Sequence, residues 1–175
     1  MERFLIEGGH TLSGTIAPSG NKNAALPLLA ASLLTRETLT LDNVPDIADV
    51  RTKVGLLQAM GVKVERPGPR TYALTATGPA FPDPPPGLSR RIRTSALLAG
   101  PLLARQGHVT IPRPGGDFIG RRRLDTHLLA LQALGATVEV TPTAYELRAE
   151  RLRGADIFLD EMSVTGTEQA VLAAV

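Results

Sequence analysis

Two segments of the chain are apolar on every helical face. Residues 24–34 (AALPLLAASLL) and 93–104 (RTSALLAGPLLA) consist mostly of alanine and leucine. A helix that is hydrophobic all round is buried, whereas a surface helix keeps one polar face. Pro27 is compatible with the first of these helices, because the first helical turn needs no N–H of its own. The pattern therefore predicts two helices inside the core.

Each buried helix is followed by the same succession of shorter elements. Period-two alternation predicts strands, and apolar spacing of three and four residues predicts an amphipathic helix. Each amphipathic helix ends at a glycine, Gly61 in the first case and Gly135 in the second. The predicted elements are strands at 38–41 and 108–111, helices from Ile47 and from Leu124, and hairpins at 62–75 and 137–147. The order helix, strand, helix, strand, strand thus occurs twice.

A sequence repeat coincides with this repeated order. LQAMGVKVE at 57–65 matches LQALGATVE at 131–139, and the beginning of 163–175 is similar to 19–29. Repeats of this length indicate similar units packed around a common axis, so the fold class is predicted as α/β (α+β). The chain stops inside the helix of the third copy, and we expect its 175 residues to be a truncated part of a longer protein.

Short strands are also predicted at 3–6, 12–17 and 157–159. A proline-rich segment is stiff and extended, and such a segment commonly joins two structural units. The predicted organisation is 1–21 opening strands, 22–78 first repeat unit, 79–88 proline-rich connector, 89–154 second repeat unit, and 155–175 start of an incomplete third unit.

Composition excludes several kinds of site. The chain has no cysteine, which rules out disulfides and thiol nucleophiles, and its three histidines lack ligand spacing, so we expect no metal site. A net charge of +2 with 3% aromatic residues does not favour nucleic-acid binding. No apolar run reaches the length of a membrane span, and the first residues do not form a signal peptide. We therefore expect a soluble, cytoplasmic protein with no nucleic-acid or membrane partner.

The segment 113–123 (RPGGDFIGRRR), called the glycine–arginine loop below, is the first candidate for chemistry. Gly115 and Gly116 allow a sharp turn or a close approach of the backbone to a ligand. Asp117 beside clustered guanidinium groups has the composition of a proton donor next to a bound phosphate. The alternative interpretation is a solvated loop, in which Asp117 caps the next helix or pairs with Arg121.

Basic residues stand at three predicted helix starts, in related places of the repeat. They are Lys22, the arginines of 90–93 and those of 121–123. Helix N-termini favour anions, and several cations are needed to neutralise a phosphate, so the pattern suggests one shared anionic ligand. The alternative is a set of solvated charges. His127 on the following helix is predicted to be a surface or a hydrogen-bonded histidine rather than a catalyst.

Four motifs together resemble the UDP-N-acetylglucosamine enolpyruvyl transferases. They are SGNKNAALPLLAASLL, RTSALLAGPLLAR, PGGDFIGRRRLDTHLLALQALGA and SVTGTEQAVLAAV, and they occur in the order that the family has. The resemblance implies an inside-out α/β barrel with two lobes of three repeated units each, helices inside and sheets outside. It also implies that the strands within 1–21 belong to the second lobe.

The resemblance further implies an activity and a site. The family transfers the enolpyruvyl group of phosphoenolpyruvate to the 3′-hydroxyl of UDP-N-acetylglucosamine, the first committed step of peptidoglycan synthesis, without a cofactor or metal. By position, phosphoenolpyruvate would be bound by Lys22, Arg93 and Arg122, and Asn23 would contact the reacting centre. The residues along the nucleotide sugar would be Arg122, Leu124, Asp125, Ser163 and Val164.

Asp117 departs from the family pattern, since most members have a cysteine at that position. A carboxylic acid can protonate the methylene carbon of phosphoenolpyruvate in its place if its pKa rises towards neutrality. We expect the intact enzyme to resist fosfomycin, an epoxide that alkylates the cysteine.

Two alternative functions stay open from the sequence. One is the shikimate-pathway enolpyruvyl transferase, and the other is a non-catalytic anion- or RNA-binding α/β module. We expect the chain by itself to be inactive and to self-associate through exposed apolar edges.

Overall fold

A computed structural model describes residues 3–116 and 123–175. The α-helices of this part are α1 Lys22–Ala31, α2 Ala48–Ala59, α3 Pro86–Ser89, α4 Ala99–Gln106, α5 Asp125–Ala133 and α6 Val164–Ala174. Two 3₁₀ segments span Ser32–Leu34 and Arg93–Leu98. The strands are β1 Thr38–Leu41, β2 Lys63–Gly68, β3 Thr71–Thr75, β4 His108–Pro112, β5 Thr137–Val140 and β6 Ala144–Arg148.

The strands form two antiparallel three-stranded sheets with the same topology. The order is β1-β3-β2 in the first sheet and β4-β6-β5 in the second, so the last strand of each hairpin lies in the centre. The register is also equivalent, because Thr38 pairs with Thr75 as His108 pairs with Arg148. Gly61 and Gly135 have φ angles of 95° and 98°, which fits their predicted place after the amphipathic helices. The predicted repeat of helix, strand, helix, strand, strand is therefore present.

The core combines residues of both sheets with the helices that the sequence predicts to be buried. Three leucines of these helical segments are fully buried, namely Leu29 of α1, Leu33 of the first 3₁₀ segment and Leu102 of α4. α6 packs against α4 and α5, and α1 packs against α2 and the second 3₁₀ segment. Because these helices are short of polar residues, their burial removes apolar surface from water on several sides at once. Helices inside and sheets outside is the predicted arrangement.

Arg105 of α4 joins the two repeat units. Its guanidinium donates hydrogen bonds to the carbonyl oxygens of Leu33 and Ala76, both at 2.6 Å, and of Gly78 at 2.8 Å. It also lies over the ring of Phe81, 4.9 Å from the centroid. Burial lowers the pKa of Arg105. One side chain of the second unit thus satisfies backbone groups at the end of the first buried helix and of the first sheet.

Three predicted strands are wrong for the chain as the structure describes it. Residues 3–6, 12–17 and 157–159 form no strand, and side chains such as Phe4 and Phe158 are 95% and 94% exposed. Alternation gives a segment the pattern of a strand, but the strand forms only where a ladder partner supplies hydrogen bonds. Whether the opening segment pairs with a second lobe stays a prediction.

Three further expectations need correction. Pro27 is the sixth residue of α1 and lies inside the helix rather than in its first turn, because α1 begins at Lys22 and not at residue 24. The helix predicted over 93–104 is a 3₁₀ segment followed by α4, since Pro101 has no N–H to continue an α-helical ladder and is placed in the first turn of α4. The predicted extended connector at 79–88 ends in the short helix α3. The unit limits at 22–78 and 89–154 remain predictions.

Candidate functional site

The N-terminus of α1 is held in place by its capping residue. The side chain of Asn21 accepts hydrogen bonds from the backbone N–H groups of Asn23, at 2.7 Å, and Ala24, at 3.2 Å. The preceding Gly20 lies so close to the carbonyl of Asn43 that a Cβ atom would overlap it. Both contacts fix the direction in which α1 begins. They therefore position Lys22 and Asn23.

Lys22 meets an acid at the start of the next helix. Its Nζ lies 3.0 Å from Oδ2 of Asp49 in the first turn of α2, and both side chains are partly exposed. An exposed pair of this kind contributes little to stability. Its consequence is positional, because it holds the ammonium group of Lys22 at the rim of a cavity.

The described part of the glycine–arginine loop lies directly on the segment that contains Arg93. Gly116 N–H donates to the Arg90 carbonyl at 3.3 Å, and a Cβ atom on Gly115 would overlap the same carbonyl. Gly116 has a φ of 92°, which disfavours other residues. The two glycines are thus required for close packing against the chain itself, and a close approach to a ligand stays a prediction. Asp117 follows immediately in the chain, but it lies outside the described residues.

The N-terminus of α6 is joined to α5 beside the same region. Ser163 caps α6, because its Oγ accepts from the N–H of Gly166 at 3.1 Å. His127 of α5 is 5% exposed, and its Nε2 lies 3.0 Å from Oγ1 of Thr165. Burial, with the charge of Arg93, lowers the pKa of His127 to about 4. His127 is therefore neutral near pH 7, and its Nδ1 has no partner among the described residues.

These helix starts converge on two adjoining cavities of about 490 Å³ and 350 Å³. The larger one is lined by Asn23, Leu26, Pro27, Arg93, Thr94, Arg123, Glu161, Met162, Ser163, Val164, Thr165 and Glu168. The smaller one is lined by Lys22, Asn23, Leu26, Asp49, Arg91, Ile92, Arg93, Thr94, Leu97, Gly116, His127 and Thr165. The residues common to both are Asn23, Leu26, Arg93, Thr94 and Thr165. Residues far apart in sequence thus share one concave region.

The structure brings together five of the residues that the sequence singled out, namely Lys22, Asn23, Arg93, Ser163 and Val164.

Two others lie beside the cavities rather than in their walls. Leu124 is 8% exposed and lines a small apolar gap next to His127. Asp125 accepts from Arg123 Nε at 2.6 Å. Arg122, like Asp117, lies outside the described residues.

Arg123 has contacts that the sequence did not indicate. Besides Asp125, its Nη2 reaches Asp160 at 3.2 Å, and its carbonyl oxygen accepts from Arg93 Nη2 at 2.5 Å. It also lines the larger cavity. Of the three successive arginines, Arg123 is therefore the one that the described structure links to Arg93.

The cavity walls have charges of both signs. Cationic side chains are contributed by Lys22, Arg91, Arg93 and Arg123, and acidic ones by Asp49, Glu161 and Glu168. Burial raises the pKa of Glu168, while the charge of Lys53 opposes that change. Cations next to carboxylates suit a ligand that has both anionic oxygens and hydrogen-bond donors.

Thr94, Thr165, Glu168 and the buried Lys53 are residues that the sequence reasoning missed. Lys53 stands three residues after Val50 and four before Leu57, on the apolar face of α2. A charge at a core position was the available signal. Thr94 and Thr165 gave no signal, because single threonines at helix starts are common caps.

Among residues 3–116 and 123–175, no group of three or more histidines, aspartates or glutamates is arranged to hold a metal ion. In the same two ranges no helix is both long and apolar enough to span a bilayer.

Comparison with known proteins decides the family. The model of the EPSP synthase (3-phosphoshikimate 1-carboxyvinyltransferase) family matches residues 6–175. The chain belongs to this family.

Curated relatives of the chain share another name. The UDP-N-acetylglucosamine 1-carboxyvinyltransferase of Bradyrhizobium diazoefficiens is 56% identical over 173 residues, which are 99% of this chain and 40% of the relative. The protein of the same name from Treponema denticola is 48% identical over 174 residues, or 99% of this chain and 41% of the relative. The chain therefore spans about 40% of the length of these relatives.

Solved structures of enolpyruvyl transferases have the same fold. The enolpyruvyl transferase NikO from Streptomyces tendae superposes with a TM-score of 0.77 at 22% identity, over 95% of this chain and 39% of its own. The EPSP synthase of Acinetobacter baumannii gives 0.71 at 18% identity, over 91% of this chain and 37% of its own. The predicted inside-out α/β fold is thereby confirmed.

Proposed function

We propose that the whole protein transfers the enolpyruvyl group of phosphoenolpyruvate to the 3′-hydroxyl of UDP-N-acetylglucosamine. The observation that supports this most directly is the convergence of α1, the Arg93 segment and α6 on two adjoining cavities with several cationic side chains. Relatives that are 45–56% identical over nearly the whole chain have the matching name. No cofactor or metal is part of the proposal.

In this proposal the smaller cavity takes phosphoenolpyruvate. Lys22, Arg93 and Arg122 bind its phosphate and carboxylate, and Asn23 contacts the reacting carbon atoms. Support comes from the shared position of Lys22, Asn23 and Arg93 in the cavity wall. Neutral His127 contributes a polar side chain to the cavity wall without adding to the positive charges of Lys22, Arg91 and Arg93.

The larger cavity takes part of the nucleotide sugar. Ser163 and Val164 line it at the N-terminus of α6, where the partial positive charge of the helix favours phosphate. Asp125 and Leu124 follow the glycine–arginine loop at the start of α5 and are proposed to lie along the sugar nucleotide with Arg122.

Asp117 is proposed to donate the proton. Its carboxyl O–H protonates the methylene carbon of phosphoenolpyruvate while the oxygen of the sugar 3′-hydroxyl forms a bond to the neighbouring carbon and releases its proton to solvent. The C–O bond to phosphate then breaks, and the Asp117 carboxylate takes a proton from the new methyl group, which restores both the double bond and the acid. Asp117 must therefore be protonated when substrate is bound.

The cellular role follows from the proposed reaction. It lies in peptidoglycan synthesis in the cytoplasm, and through the cell wall it affects cell shape and division. Self-association through apolar edges of the incomplete third unit is part of the proposal, and the exposed apolar side chains within 3–17 support it as a further apolar surface.

The description of the matching family favours a second candidate, in which the acceptor is shikimate 3-phosphate. A chimera separates the two: residues 1–175 are joined to the remaining portion of the Bradyrhizobium diazoefficiens relative, and phosphate release is measured with each acceptor. Release with UDP-N-acetylglucosamine alone supports the proposal, and release with shikimate 3-phosphate alone contradicts it.

Inactivity with both acceptors while the chimera is folded would also contradict the proposal. In that case, weak RNA binding that falls steeply with salt would support the non-catalytic alternative.

A further inference from the structure

Lys53 is a fully buried lysine in the middle of α2. Its Nζ donates a hydrogen bond of 2.7 Å to the carbonyl oxygen of Thr94. Among the described residues it has no acidic partner within ion-pair distance. A buried ammonium group without a paired carboxylate is costly, so its presence calls for an explanation other than stability.

The elements around Lys53 have several charged groups. They include Glu168 on α6, Arg93 on the 3₁₀ segment, and the ion pair of Lys22 with Asp49 at the starts of α1 and α2. Arg51 on α2 is paired with Asp46, and β2, which packs against α2, contains Lys63, Glu65 and Arg66. Burial lowers the pKa of Lys53 to about 7, and the charge of Glu168 opposes this change. Whether Lys53 is protonated near pH 7 therefore depends strongly on the charges near its ammonium group.

Thr94 connects Lys53 to the candidate site. It lines both cavities and follows Arg93 directly. On another part of the same short segment, the glycines of the glycine–arginine loop lie against the Arg90 carbonyl. The backbone from Arg90 to Thr94 is thus fixed at one end by the loop and at the other by Lys53.

We propose that Lys53 is a positioning residue for anion binding: it fixes the Arg93–Thr94 backbone through the Thr94 carbonyl and keeps a positive charge behind the cavity wall. An anion in the cavity then stabilises the charged form of Lys53, and the charged form in turn strengthens anion binding, since such coupling is reciprocal. The inference rests on the proposed function in one respect, that the cavity takes phosphoenolpyruvate.

The lysine content of the chain allows a direct test. Lys22, Lys53 and Lys63 are its only lysines. Lys22 lines the smaller cavity, Lys53 lies behind the wall, and Lys63 is an exposed residue of β2 paired with Glu65. Chains labelled with ¹³C-lysine give three side-chain NMR signals, which substitution of each lysine assigns.

The signals are recorded at pH 7 while phosphoenolpyruvate is added to the chain. We expect the Lys53 signal to move towards that of a charged ammonium group, the Lys22 signal to move through contact, and the Lys63 signal to stay. If Lys22 responds and Lys53 does not, the inference is overturned and the proposed function stands. If no signal moves, the inference fails, whereas the proposed function, which concerns the whole protein, is decided by the chimera. Equal movement of all three overturns the inference, because it indicates a general ionic effect.

Substitution provides the second readout. Lys53→Met keeps the length of the apolar stem but removes the charge and the donor, so the dissociation constant of phosphoenolpyruvate should rise about tenfold. The melting temperature should not fall, since an uncompensated buried charge is removed. Lys63→Met removes the same charge at a remote site and should leave the dissociation constant unchanged.

A fall in melting temperature together with unchanged affinity would show that Lys53 has only a structural role. Should Lys53→Met not fold, the NMR titration of the unsubstituted chain still decides the question.

Discussion

Nε2 of His127 lies 3.0 Å from Oγ1 of Thr165, and this hydrogen bond joins α5 to α6 beside the candidate site. The burial of His127 in its neutral form lowers the stability of the fold at low pH. Burial lowers the pKa of His127 from 6.5 to about 4, so between these values the unfolded chain binds a proton that the folded chain does not. The fold must therefore lose stability as the pH falls from about 6.5 to about 4.

The first prediction is that His127→Gln removes this part of the pH dependence. Urea unfolding of both proteins is measured between pH 4 and 7, a range set by the shift of His127. The stability difference between them should change across this interval. A constant difference would show that His127 titrates normally in the folded chain. His108→Gln, at an exposed position, is the control.

The second prediction concerns the opposite end of the pH scale. The pKa of Lys53 is lowered from 10.5 to about 7, so the unfolded chain binds the extra proton between those values. Stability should consequently rise as the pH increases from about 7 to about 10.5. Lys53→Met should lack that rise, and Lys63→Met should keep it. If stability changes with pH in the same way in all three proteins, Lys53 does not have the lowered pKa.

The third prediction addresses Gly115. An alanine Cβ would overlap the Arg90 carbonyl, so Gly115→Ala must displace the loop or the Arg93 segment. We expect a loss of about 1–3 kcal/mol in the free energy of unfolding. Gly55→Ala is the matched control, because the space around Gly55 in α2 is open and alanine favours helix by about 0.5–1 kcal/mol. Equal effects of the two changes would contradict the close contact.

The fourth prediction concerns the arginine that joins the repeat units. Arg105→Met keeps most of the apolar stem but leaves several backbone carbonyls without their donor. The free energy of unfolding should fall by about 3 kcal/mol or more, because each unsatisfied buried acceptor costs about 1–3 kcal/mol. The exposed Arg36 supplies the control, since Arg36→Met removes the same charge without those bonds. If Arg105→Met lowers the free energy of unfolding by less than Arg36→Met does, Arg105 does not join the two units.

The fifth prediction tests the proposed acid. Asp117→Asn in the chimera keeps the shape of the side chain but cannot donate the proton, so turnover should fall by about 10²–10⁴-fold. Near-normal turnover would exclude Asp117 as the donor.

Fosfomycin gives an independent measurement on the same position. The chimera with Asp117 should stay active in the presence of the epoxide, whereas Asp117→Cys should be inactivated. Mass spectrometry of the treated proteins should find added mass on the cysteine variant alone. A covalent adduct on Asp117 itself would contradict this expectation.

The sequence pattern was sufficient to predict elements whose formation depends mainly on residues close in the chain. Alternation over 108–111 and the apolar face of 124–134 require only the neighbours that the chain itself supplies, and both elements are present. The strands expected at 3–6 and 157–159 require a ladder partner, and alternation contains no information on whether one exists.

The site shows the same division. Lys22 and Arg93 could be selected as basic residues at predicted helix starts, and Asn23 through the resemblance to the family. Lys53 could not, since its importance depends on a backbone carbonyl 41 residues away in the chain. A charge on an apolar face signals an unusual environment, but its partner is defined only by the folded packing.

The position of Arg105 has a consequence for the order of folding during synthesis. The carbonyl of Leu33 receives its donor from a residue made 72 positions later. The first unit thus cannot complete its hydrogen bonds while it emerges from the ribosome, even though all of its own helices and strands are already present. The packing around these carbonyl groups is therefore completed only after α4 has been made.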